Sequence, residues 1–247
     1  MNNSYNLKLH NWQLYVLKEV GSTMDEIKKD CYKSNLNTLL MAYRQTKGRG
    51  RKNNKWISNL GNLFLSIKLN TFHTPNAFLL NYLTGIIIYD TINSFLTKKK
   101  KILIKWPNDL LIDKKKIAGI LIDTYSKGNK ISASYIGVGI NIKVAPLNLK
   151  YPTTCLNLES SLNLSRKKVL NKLIFYFNYW ENIFKVKSLS YILKSWMKRS
   201  LPVNSKISFK TKEGIINGIY RGINLNGSIK ILINNKERNF FNLDTVI

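Results

Sequence analysis

Two glycines set among basic side chains offer the first chemistry in this chain. Gly48 and Gly50 lie in the run Lys47-Gly48-Arg49-Gly50-Arg51-Lys52, between apolar stretches at 39–43 and 63–67 that are short enough to be strands. The glycines let the backbone turn and expose its N–H groups. The cations surround those donors with positive charge, as a phosphate-bearing ligand requires. A solvated basic turn has the same composition, so the loop alone leaves both readings open. Other residues fit a polar ligand too. Ser22 and Thr23 stand at a strand-to-helix junction, as caps or as ligand-facing hydroxyls. Asn108 and Asp109 follow Lys105-Trp106-Pro107, where proline ends strand pairing and forces a turn. Lys116 precedes Ile117-Ala118-Gly119, and Asn141 closes a strand interrupted by Gly137 and Gly139, small residues that let a ligand approach the backbone.

Positioning these groups requires strands alternating with helices. A strand at 14–17 ends at Gly21-Ser22-Thr23, and Thr23-Met24-Asp25-Glu26 has the capping-box form, with Met24, Ile27 and Cys31 on one helix face. Apolar residues at 78, 79, 82, 83, 86 and 87 predict a helix over 76–95 with one buried stripe. Strands at 110–112 and 117–122 bracket a charged hairpin tip, Asp113-Lys114-Lys115-Lys116, in which Lys114 and Lys115 read as solvated. Aromatic-rich helical patterns fill 164–186 and 191–197. From Leu201-Pro202 onward the pattern changes to short strands at 206–210, 214–221, 228–233 and 237–241, with Asn-Gly turns, which predicts a small all-β domain. The division is 1–200 and 201–247.

Forty Lys and Arg against 13 Asp and Glu give a formal charge of +27 over 247 residues. The excess runs from end to end, including scaffold-like stretches, so it reads as compositional drift with weak, sequence-independent polyanion binding as a side effect. Cys31 and Cys155 are isolated, which suits a reducing compartment, and His10 and His73 are too few for a metal cage. No leader pattern and no apolar run of ~20 residues is present, so a cytoplasmic enzyme or binding protein is expected.

Taken together, Gln45 with Gly48-Arg49-Gly50-Arg51 and Trp56, then Lys105-Trp106-Pro107-Asn108-Asp109, then Lys116-Ile117-Ala118-Gly119, then Gly137-Val138-Gly139-Ile140-Asn141 resemble the biotin protein ligases in order and spacing. The resemblance implies an α/β (α+β) fold, a mixed-sheet catalytic domain followed by a small SH3-like barrel. It implies two reactions: biotin and ATP, with Mg²⁺, give biotinyl-5′-adenylate and pyrophosphate, and a lysine of a biotin carboxyl carrier protein of acetyl-CoA carboxylase then takes the biotin. It places Ser22, Thr23 and Gln45 on the ureido ring, and the loop of Gly48, Arg49, Gly50 and Arg51 over biotin and the adenylate. Lys116 falls on the carboxylate and the attacked phosphate, Asn108 and Asp109 on the phosphate and metal region, and Trp56 and Asn141 near the adenine. Lys116, Asp109 and Arg51 are the implied catalytic set.

The chain departs from the family at Asn53 and Asn54, where Gly and Arg are usual, and at Met24, often Asn. Asparagine tolerates positive φ, so Asn53 keeps the turn, whereas the lost arginine bears on adenylate retention. About a dozen residues precede the first catalytic strand, too few for the winged-helix domain of the repressor members. A ligase without sequence-specific DNA binding is therefore implied, with homodimer formation left open. Two alternatives stand beside it. One is a lipoate–protein ligase of the same fold, whose Arg-Arg-x-x-Gly-Gly-Gly type of loop is absent. The other is a basic nucleic-acid-binding protein with a vestigial ligase site.

Overall fold

Strands buried on both faces need cover on both sides. In Asn37–Gln45 (β3), Leu39 and Met41 join one apolar core while Leu40 and Ala42 join another across the sheet. The computed structural model describes residues 5–9, 11–32, 34–69, 77–97, 100–127, 130–211, 214–241 and 244–246; His10, His73 and Asn76 lie outside them. Tyr5–Leu9 (β1) pairs antiparallel with Trp12–Val20 (β2), and β2 runs parallel to β3 through the single-turn helix Thr23–Glu26 (α1). The strand over 14–17 is thus longer than its apolar run, and β1 was not legible in the sequence.

Leu63–Lys68 (β4), Ile102–Lys105 (β5), Asp109–Ile112 (β6), Lys115–Lys127 (β7) and Lys130–Ile140 (β8) complete a mixed eight-stranded sheet in the order β1-β2-β3-β4-β8-β7-β6-β5. Ala77–Asn93 (α2) connects β4 to β5. The single stripe expected for it is wrong. Every residue from Tyr82 to Ile88 is buried, because the sheet covers one side of the helix and later elements cover the other. Those elements follow the short helix Leu156–Ser160 (α3) and are Arg166–Val186 (α4) and Leu189–Met197 (α5).

A second, wholly antiparallel sheet follows, in the order β12-β11-β10-β9-β13: Lys206–Thr211 (β9), Gly214–Ile223 (β10), Ile229–Ile233 (β11), Lys236–Phe240 (β12) and Asp244–Val246 (β13). The mixed α/β architecture with a small C-terminal β unit is the one expected. No helix among the described residues is long and apolar enough to cross a membrane.

Candidate active site

On the face of the sheet opposite α2, a cavity of about 580 Å³ opens above β7 and β8. Its floor is the cross-strand pair Gly119 and Gly139. A methyl group at Gly139 would come 2.4 Å from the Trp56 indole and one at Gly119 within 2.8 Å, so both glycines are needed for that ring to lie flat on the sheet. Gly137 makes room for Met24 in the same way, at 2.9 Å.

One end of the cavity is polar and uncharged. Gln45, the last residue of β3 and the register partner of Val20, accepts from the Thr23 backbone N–H (2.8 Å) and the Thr23 hydroxyl (3.0 Å), and donates to Ser58 Oγ (3.0 Å). Ser66 donates to Thr23 Oγ1 (2.9 Å). The expected capping box does not form. Gln45 takes the Thr23 N–H to which Glu26 would have reached back, Glu26 accepts from Tyr32 Oη instead, and Ser22 is the N-cap residue without a side-chain cap bond. Ser22 Oγ is buried, faces the cavity and has no partner among the described residues, which leaves it for a bound polar group.

The glycine loop closes over this end. Gly50 N–H donates to Asn54 O (2.7 Å) and Trp56 N–H to Gly48 O (2.9 Å), with Lys52 (φ 51°) and Asn53 (φ 61°) both left-handed. The expectation for Asn53 holds; that Lys52 shares the conformation was not foreseen. Gly48 lies behind the cavity, where a Cβ would strike Trp56 O at 2.5 Å. Arg49 Nη1 is held by Asp25 (2.5 Å) and Asp123 (3.2 Å), and Lys28 also pairs with Asp123 (2.7 Å). Burial lowers the pKa of Arg49 and of Lys28, but their carboxylate partners outweigh it and each is raised overall. Asp25 is read from the sequence only as part of a helix start, and Asp123 is not singled out there at all. The signal for Asp123 was its even spacing from Gly119 on one strand.

The other end is charged. Arg51 Nη1 donates to Asn108 Oδ1 (3.1 Å), and Asn108 is fixed by two bonds to Ile120, Nδ2 to the carbonyl (2.8 Å) and its own carbonyl from the N–H (2.9 Å). Asp109 Oδ1 meets Lys116 Nζ at 2.8 Å, and that ammonium sits over the rings of Trp56 (5.4 Å) and Tyr151 (5.1 Å).

The hairpin tip is shorter than expected. Only Asp113 and Lys114 turn, both at positive φ as a tight two-residue hairpin demands. Lys116 lies within β7, and its backbone is no free edge: its N–H donates to Pro152 O and its carbonyl accepts from Thr154 N–H. A bulge pairs Leu110 with Ala118 but Leu111 with Lys116, leaving Ile117 extra. Counted back from Gly119 by strict alternation, Lys116 would point into the core; the bulge turns it to the cavity. Two consecutive fully buried residues, Ile117 and Ala118, were the visible trace of it.

Asn141 is buried behind the cavity, its amide donating to Thr154 O (3.1 Å). It borders a small void with Trp56, Lys116 and Tyr151. Asn62, unnoticed in the sequence, accepts the N–H groups of Ile142, Lys143 and Val144 (2.9–3.1 Å) and so directs the chain after β8. Thr154, in turn, donates to the buried Glu159 (2.6 Å), which pairs with Lys100 (2.7 Å).

A nucleotide-sized space with an uncharged polar end and a cationic end thus lies on one mixed sheet, and the chain belongs to the biotin/lipoate A/B protein ligase family, which it matches over residues 17–141. It is 30% identical over 196 residues to the bifunctional ligase/repressor BirA of Salmonella typhimurium, covering 76% of this chain and 60% of that one. Identity to the biotin–[acetyl-CoA-carboxylase] ligase of Paracoccus denitrificans is 25%, over 77% of this chain and 82% of that one. The biotin protein ligase of Aquifex aeolicus, solved in complex with biotin and ATP, superposes with a TM-score of 0.80 at 28% identity, covering 94% of this chain and 97% of that one. The chain thus spans 60% of the length of the first two curated relatives, the BirA proteins of Salmonella and Escherichia coli.

Proposed function

We propose that this protein activates biotin with ATP and transfers it to a lysine of a biotin carboxyl carrier protein. The observation that carries this reading is that one cavity holds both the uncharged Ser22, Thr23 and Gln45 end and the Arg51, Asn108, Asp109 and Lys116 end, joined by a glycine floor. A ureido ring needs donors and acceptors without charge, which the first end supplies. A carboxylate brought against a triphosphate needs cations, which the second supplies.

In the first step a biotin carboxylate oxygen attacks the α-phosphorus; the bond from that phosphorus to the bridging oxygen breaks, and pyrophosphate leaves with the electron pair. Lys116 exchanges its bond to Asp109 for the carboxylate and the α-phosphate, whose charge it offsets as it shifts. Arg51 holds the phosphate from the loop side, and Trp56 covers the junction of acid and nucleotide. In the second step the acceptor amine attacks the acyl carbon, AMP departs, and Asp109 is placed to take the amine's proton. Mg²⁺ takes few protein carboxylates and binds largely through substrate phosphates, so one or two side chains suffice for it. The oxygen donors of Asp109 and Asn108 suit that ion, which when bound supplies charge neutralisation to the phosphates.

Pyrophosphate exchange into ATP, measured with biotin and separately with lipoate, tests the assignment. Biotin-dependent exchange is expected, and exchange with lipoate alone would overturn it. Identifying the protein that acquires biotin in a cell extract tests the acceptor.

A further inference from the structure

We propose that the phenol of Tyr82 is a positioning group for the 105–109 turn, transmitting the seating of the C-terminal sheet to Asn108 and Asp109. The inference rests on the ligase reading, since it concerns the nucleotide side of that site.

Tyr82 lies on α2 and is 1% exposed. Its hydroxyl donates to Gly227 O (2.5 Å), in the turn between β10 and β11, and accepts from Trp106 Nε1 (3.1 Å), in the 105–109 turn. Burial pushes the phenol pKa well above its usual range, so the group stays a neutral donor and acceptor at any working pH. The preceding residue, Asn81, donates to Pro107 O (2.5 Å), so adjacent α2 side chains hold Trp106 and Pro107 in succession.

On the far side the seating is equally tight. Gly227 has φ 84°, and a Cβ there would stand 2.7 Å from Phe78 of the same helix. From Pro107 the chain passes directly to Asn108, bound to Arg51 and Ile120, and to Asp109, bound to Lys116. Trp106 itself faces Ile207, Tyr220 and Ile229 across the seam between the sheets. A phenylalanine would fill the same space but withdraw this partner from Gly227 O and Trp106 Nε1, so what the hydroxyl adds is direction, two bonds that set Trp106 against Gly227.

Tyr82→Phe and Trp106→Phe break the same bond from opposite ends, and the double variant closes a cycle. Four readouts are taken on the full chain: the KM for ATP, the KM for biotin, the thermal midpoint, and hydrogen exchange at the Ile120 amide, which Asn108 O holds. For either variant the KM for ATP should rise by about ten-fold, the worth of one buried hydrogen bond, with the KM for biotin unmoved. Ile120 exchange should quicken while interior amides of β3 keep their protection, and the double variant should be no worse than either single one. A lowered midpoint with ATP KM and Ile120 exchange both unchanged overturns the proposal. Should Tyr82→Phe fail to fold, Trp106→Phe decides; should neither fold, the phenol is structural and the proposal is lost. Exchange activity that does not depend on biotin in the wild type would count against the ligase reading instead, and Ile120 protection would still judge the relay.

Discussion

The glycine loop and the 105–109 turn meet at one bond, Arg51 to Asn108, yet they are held in place by opposite means. The loop is tethered by charge: Arg49 reaches Asp25, which is 59% exposed, and Asp123. Exposed ion pairs of this kind contribute ~0–1 kcal/mol and are screened by salt. The turn is clamped by Tyr82, Asn81 and a buried seam of aromatic rings, where a hydrogen bond is worth more than an ion pair at the surface. A site that must admit two substrates and then exclude water needs one wall that moves and one that does not. On the proposed reaction, the wall of arginine and glycine is the one expected to move.

The largest effect is expected where the two walls converge. Lys116→Ala should lower biotin-dependent pyrophosphate exchange by ~10²–10³, as loss of one preorganised charge does. Lys114→Ala, at the solvated tip, should leave it unchanged, and equal rates for the two would remove Lys116 from the mechanism. The next test puts one substitution behind each wall, Gly139 under the Trp56 ring that follows the loop and Gly227 against the helix that clamps the turn. Gly227→Ala, at positive φ and against Phe78, should cost about 1–3 kcal/mol of stability, read in the thermal midpoint. Gly139→Ala, which displaces only the Trp56 ring, should spare the midpoint and lower activity by about ten-fold. The reverse pattern would mean that the loop, not the seam, is the rigid partner.

Weaker still is the tether itself. Asp123→Asn frees Lys28 and leaves Arg49 with Asp25 alone, so tryptic cleavage after Arg49 and Arg51 should accelerate a few-fold, and about 1 M salt should do the same to the wild type. Biotin with MgATP should suppress cleavage in both, and insensitivity to salt and to ligand would contradict a loop tethered by charge.

Smallest is the effect of acid on the support behind Lys116. Burial raises the pKa of Glu159, but Lys100 and Thr154 outweigh it and hold the pKa below its ordinary 4.5. The stabilisation is therefore present above that value and lost as pH falls through the lower folded-state pKa. Midpoints of Glu159→Gln and wild type should converge on acidification below pH ~4.5, and parallel curves would show the pair to be neutral.

Much of the site could be read before any coordinates because its residues lie in contiguous runs: the 48–51 loop, 105–109, and 116–119. The misses share a physical origin. Periodicity reports which face of an element is apolar but not what packs on it, so Tyr82 looked like one more core residue of a striped helix. A bulge shifts the phase of a strand by a single residue without changing composition, so Lys116 was assigned to the tip. Bonds that join distant segments leave little local signature: Asn62, which directs the chain after β8, is unremarkable among its neighbours, and Asp123, which holds Arg49, shows only in its even spacing from Gly119.

The burial of α2 on every side has a consequence for biosynthesis. Residues 77–93 leave the ribosome long before α4, α5 and Gly227 exist to cover their second face, a lag on the order of ten seconds at typical synthesis rates. Through that interval a helix as apolar as this one stands half-clad, and only the sheet side can dock. Nascent chains arrested before residue 200 should therefore be held by chaperones and cut readily by protease within α2, whereas full-length chains released from the ribosome should be neither; equal protection in the two would mean that the sheet alone secures the helix.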